Sequence, residues 1–86
     1  MSVIQQQWIP GDPPTLVNEF VTNFDGQPDP DIEQWLESHG AFVSWLPSEE
    51  AVVLIDYSGG EVTARKGATI VYDTAGLEAF CVYNLG

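Results

Sequence analysis

Residues 13–24 read PPTLVNEFVTNF, and the fold turns on whether this stretch is a helix or a strand. Leu16, Val17, Phe20, Val21 and Phe24 recur at i, i+1, i+4, i+5 and i+8, a spacing that gathers apolar side chains on one face of a helix. The same residues also fit a strand of mixed facing. The end signals favour the helix. Asp12 can accept the free amide hydrogens of a first helical turn, and Pro13 loses no hydrogen bond at the first helical position. A helix is therefore expected over about residues 13–24.

Upstream, QQQWIPGD (residues 5–12) suggests a strand over 3–8 that Ile9-Pro10-Gly11 ends, with Trp8 as a core residue at the strand end. Downstream, Gly26-Gln27-Pro28 is a short connection, and DPDIEQWLESHG (residues 29–40) predicts a second helix over 30–39. Asp29 is its cap, Pro30 its first residue, and Asp31 and Glu33 lie near its positive end, while His39 and Gly40 close it. Ile32, Trp35, Leu36 and His39 share one face, which leaves Asp31, Glu33, Gln34 and Glu37 toward water.

From Ala41 the hydrophobic period changes to two. AFVSWL, AVVLIDY, EVTARK, ATIVY and LEAFCVYNL read as strands separated by turn formers, a hairpin meander over 41–85. Ala51 to Ile55 is apolar throughout and suits a central strand covered on both faces. The expected architecture is α+β, with two N-terminal helices packed on a twisted, mostly antiparallel sheet of five or six strands. Its expected core holds Trp8, Phe20, Trp35, Leu36, Val53, Ile55, Ile70 and Phe80. Trp45, Tyr57, Tyr72 and Tyr83 fit either core positions or exposed anchors.

A chain of 86 residues, 44% hydrophobic and 17% charged, reads as one domain with enough apolar material for a core. Cys81 is the sole cysteine, so no internal disulfide is available and a reduced cytosolic setting is expected. No apolar run approaches the roughly 18 residues of a membrane span, and no signal-peptide pattern opens the chain, so a soluble, intracellular protein is expected. The charge is the most unusual feature. Thirteen Asp and Glu stand against Arg65 and Lys66, a net of -11 with no basic residue before position 65. Direct binding to nucleic acid or to an anionic membrane would be repelled, whereas a basic partner would be attracted.

The inventory for chemistry is thin. His39 is the only histidine, and its place at a helix end suits interaction with the carbonyls there. Cys81 has no histidine or cation near it in sequence and reads as an inert, buried thiol. Glu49-Glu50 and Asp29-Asp31-Glu33 lack the ligand spacing of a calcium loop. Ser58-Gly59-Gly60 reads as a hairpin turn without the lysine of a phosphate cradle. No catalytic set, metal site or cofactor is expected. Asp29, Asp31, Glu33, Glu37, Glu49 and Glu50, if they lie on one side, could imitate a row of phosphates and occupy a basic groove on another protein; otherwise they form a plain solvated surface.

Taken in order, these residues resemble a widespread family of small bacteriophage proteins of unassigned function. The resemblance rests on Gln7-Trp8, Gly11-Asp12, Glu19-Phe20, Trp35-Leu36, His39-Gly40, Ile55 with Gly59-Gly60, Gly67 to Val71, and Gly76-Leu77-Glu78. Ala68 stands where the family's pattern has an aspartate, and Leu77 to Cys81 is longer than its usual hairpin end. The resemblance implies a phage origin, expression in the host cytoplasm and an α+β fold; it carries over no functional site. With the charge, it leads to the expectation of a non-enzymatic protein that binds and modulates a host protein, itself basic or nucleic-acid-binding. The alternatives are a protein that sequesters a small host signal molecule, or a minor structural or accessory phage component.

Overall fold

The computed structural model describes residues 4–56, 59–75 and 79–84. It overturns the helical reading of residues 13–24: Thr15–Val21 is a strand, β2, paired antiparallel with β1 (Gln5–Ile9). The physical reason is that a separation of four residues is common to both periods. The pairs Trp8↔Leu16 and Gln7↔Asn18 leave Val17 as an extra residue in β2, and this bulge puts Leu16 on the face of Glu19 and Val21, opposite Asn18 and Phe20. Both sides are partly covered, so the strand lacks the clean alternation that would have marked it. Thr15, Val17 and Val21 are β-branched and suited to an extended backbone. Asp12 and Pro13 cap no helix. They lie in the connection between the two strands, where the Asp12–Pro13 peptide bond is cis.

One helix remains among the described residues, α1 (Pro30–Ser38), and it forms as its sequence predicts. The Asp29 carboxylate accepts the amide hydrogens of Asp31 at 2.9 Å and Ile32 at 3.4 Å. Ile32, Trp35 and Leu36 are buried. At the other end Gly40 takes φ +83, its N–H donates to the Glu37 carbonyl and the Ala41 N–H to the Leu36 carbonyl, a Schellman motif that fixes the direction of the exit.

Among the described residues the remaining strands are β3 (Phe42–Leu46), β4 (Ala51–Ile55), β5 (Glu61–Arg65), β6 (Thr69–Asp73) and β7 (Phe80–Tyr83), with a single 3-10 turn at Pro47–Glu49. They do not form one meander. The seven strands make two antiparallel sheets, ordered β1-β2-β6-β7 and β3-β4-β5, in place of two helices on a single sheet of five or six strands. The chain changes sheet after β5. There Phe24 exchanges backbone bonds with the crossing segment: its N–H reaches the Ala68 carbonyl at 3.1 Å and its carbonyl accepts from Gly67 N at 2.6 Å. The connection before α1 presses on the β3–β4 turn. A Cβ on Gly26, which has φ +81, would lie 2.6 Å from the Glu50 Cβ. Asn84, beyond β7, ties the sheets at another point, donating to the Thr63 carbonyl at 3.0 Å and accepting from Arg65 N at 2.8 Å.

The core lies between the sheets and under α1: Val21, Phe24, Ile32, Leu36, Val52, Leu54 and Ile70 are all fully buried, each worth about 1.5–3 kcal/mol of transfer free energy. Of the expected core, Trp35, Leu36 and Ile70 are buried. Phe80 packs against the cluster half-buried, and Phe20 is also half-buried. Val53 and Ile55 are half-buried on the face of β4 opposite Val52 and Leu54, because an uninterrupted apolar run does not show which face turns inward. Trp8 is 50% exposed. It sits on an edge strand, and the β2–β6 ladder begins only at Asn18↔Asp73, so the part of the ribbon that holds Trp8 and Ile9 extends past β6.

Candidate functional site

Directly opposed residues on neighbouring strands share a face of the sheet. In the four-stranded sheet the registers Gln6↔Glu19, Glu19↔Tyr72 and Tyr72↔Phe80 line up one side chain from each strand in a single row. The Schellman exit of α1 lays His39 across the row. Its ring stacks on Tyr72 at a centroid distance of 3.9 Å and an angle of 20°, and its Nε2 lies 2.9 Å from Glu19 Oε1. Gln6 Nε2 donates to the other oxygen of Glu19 at 3.1 Å. Trp35, one turn earlier on α1, meets Phe80 edge-on at 5.4 Å.

Glu19 is the electrostatic centre of this row, with only 16% of its side chain exposed. The Gln6 hydrogen bond, then the hydrogen bond and charge of His39, hold its carboxyl below the ordinary value of 4.5, against the opposing effect of burial. The buried Trp35 N–H adds a smaller pull in the same direction, and it makes no hydrogen bond of good geometry among the described residues. His39 therefore serves Glu19 and Tyr72, where the sequence suggested the helix carbonyls.

Beyond the aromatic end of the row the two sheets leave a cleft of about 360 Å³. His39, Tyr72 and Phe80 line it from one side, and Leu54, Asp56 and Glu61 from the other. Asp56 closes the β4–β5 turn, with its Oδ1 accepting the Gly60 N–H at 2.9 Å, while Glu61 opens β5 and is exposed. Among the described residues that line the cleft there is no lysine or arginine.

The six acids singled out by the sequence divide in two. Asp29 is 7% exposed and serves as the helix cap. Glu33 Oε1 accepts the Trp45 indole N–H at 2.9 Å, which joins α1 to β3. Glu50, at φ +52, pairs with Lys66 at 3.3 Å. Asp31, Glu37 and Glu49 are exposed and make no side-chain bond among the described residues. Three of the six are thus already engaged by donors of the protein itself.

Cys81 is half-buried on β7. Among the described residues no group of three or more His, Cys, Asp or Glu converges as a metal site would require, and no helix is long and apolar enough to cross a membrane. Tyr83 is exposed and Trp45 half-buried. Tyr57, Ser58 and Gly76-Leu77-Glu78 lie outside the described residues.

No family model, no curated protein and no solved structure matches this chain.

Glu19 and Gln6 are the site residues that sequence reasoning missed. Their signal was only partly present: folding the chain back through Pro10 to Pro14 sets Ile9 against Thr15 and Trp8 against Leu16, but counting on would put Gln6 against Asn18, and it is the register shift at Gln7/Trp8 that brings it to Glu19.

Proposed function

We propose that this chain is a small, non-enzymatic phage protein that binds a basic surface of a host protein in the host cytoplasm and modulates it, standing where nucleic-acid phosphates would otherwise lie. The observation that supports this reading is the charge imbalance at the surface. Against a net charge of -11 the chain carries only two cations, and Lys66 is already paired with Glu50. Asp31, Glu37 and Glu49 keep their carboxylates toward solvent and are the residues assigned to the partner, with Asp29, Glu33 and Glu50 reassigned to holding the fold. Attraction of this kind acts over about 10 Å at 0.1 M salt and weakens as salt rises.

The test is a tagged pull-down from bacterial host lysate at about 50 mM and about 300 mM salt, repeated with the triple variant Asp31→Asn, Glu37→Gln, Glu49→Gln. Capture of a nucleic-acid-binding protein at low salt, its loss at high salt, its displacement by added DNA and its loss in the triple variant are expected. Capture of nothing at either salt, or a capture that the triple variant leaves unchanged, would contradict the reading. A second reading, a protein that sequesters a small molecule, is supported by the cleft between the sheets.

A further inference from the structure

We infer that the cleft between the two sheets is a binding site for a small organic cation, an ammonium group carried on an apolar body. The inference rests on the small-molecule reading of the cleft and adds the chemical class. Volume comes first: about 360 Å³ lies near the lower end of small-ligand sites, which span about 300–1,000 Å³, so the occupant is one ring or a short branched chain.

The walls then decide the charge. Leu54 and Phe80 supply apolar surface, and Tyr72, one face of which is covered by the stacked His39 ring, lies 4.8 Å from Phe80 at a tilt of 53°, so that two π systems border the cleft at one side. Asp56 and Glu61 place two carboxylates at the other. The negative face of an aromatic ring and a carboxylate both favour a cation. Among the described residues that line the cleft an anion finds no matching charge: His39 is the one of them that can become positive, and its Nε2 already faces the Glu19 carboxylate. The charge of this cleft therefore disfavours nucleotides and other phosphorylated signals.

A general attraction of cations to an acidic protein must be separated from a site, and charge-matched variants do so. Glu61→Gln and Glu37→Gln each remove one negative charge, but only Glu61 lines the cleft. The experiment is titration of the ¹⁵N-labelled full chain with benzyltrimethylammonium, with benzyl alcohol and with benzenesulfonate, followed by amide chemical shifts. The ammonium is expected to move the amides of Gly40, Leu54, Gly60 and Glu61 with an affinity about fivefold or more above that of the alcohol. Glu61→Gln should reduce that preference at least about twofold and Glu37→Gln should leave it intact. Phe80→Leu, which keeps an apolar filler at the site, should weaken the ammonium more than the alcohol. Equal binding of the ammonium and the alcohol in the cleft would overturn the charge assignment while leaving a small-molecule site. Shifts scattered over the surface, or equal losses in the two glutamine variants, would overturn the site itself.

Discussion

Glu19 and Glu37 are the same residue type in the same acidic chain, and the structure uses them in opposite ways. Glu19 lies in a row of side chains across four strands, accepts from Gln6, faces His39 and is largely shielded from water. Glu37 stands on the outer side of α1 with its carboxylate in solvent. The difference teaches that net charge counts two populations at once: carboxylates held by fixed donors within the fold, and carboxylates that meet only solvent. Asp29, Glu33 and Glu50 belong to the first group in graded degree, and Asp31 and Glu49 to the second.

Removing the members of the first group should therefore cost stability in proportion to their engagement. Glu19→Ala is expected to have the largest effect, about 1.5–3 kcal/mol in urea unfolding, because a charged acceptor is lost and the half-buried His39 is left without it. Asp29→Ala removes a helix cap and should cost about 1 kcal/mol. The same change should lower the helical signal in circular dichroism, which Glu19→Ala need not do. Glu33→Ala breaks a half-exposed bond to Trp45 and should cost about 0.5–1.5 kcal/mol, with a change in tryptophan fluorescence to report it. Glu50→Gln weakens an exposed ion pair and should cost about 0.5 kcal/mol or less. At the far end of the series, Asp31→Asn, Glu37→Gln and Glu49→Gln should each change stability by less than about 0.5 kcal/mol and register only in salt-dependent binding. An exposed acid that proved as costly as Asp29 would break the division.

The sequence showed one side of this comparison well and the other poorly. The cap, the first proline and the closing glycine of α1 are local signals that act on the backbone beside them, so Asp29 to Gly40 could be read without knowledge of the rest. The strands from Phe42 to Tyr83 were also marked, by period-two runs between turn formers. Two things were hidden. Leu16 to Phe24 satisfied two periods at once, and the choice between them is made by Gln5 to Ile9 and Thr69 to Asp73, distant in sequence. The division of β3 to β7 into two sheets depends on the crossing at Gly67, where Phe24 supplies the backbone partners. The row through Glu19 depends on both, and for that reason the local sequence points His39 to its own helix end and not to a strand twenty residues earlier.

The pH dependence of Glu19 separates the two populations directly. Its carboxyl is held below 4.5 in the folded chain, so its contribution to stability is present above that value and is lost as pH falls through the lowered folded value. Protonation of the exposed acids acts the other way, since it relieves repulsion in a chain of net charge -11. The most direct measurement is urea unfolding of the native chain and of Glu19→Gln across about pH 3 to pH 7, taken as the difference between the two curves. The difference should be largest at neutral pH and shrink as pH falls below about 4.5. A difference that stays flat across the range, or grows on acidification, would contradict the claim that Glu19 is a carboxylate held by the fold.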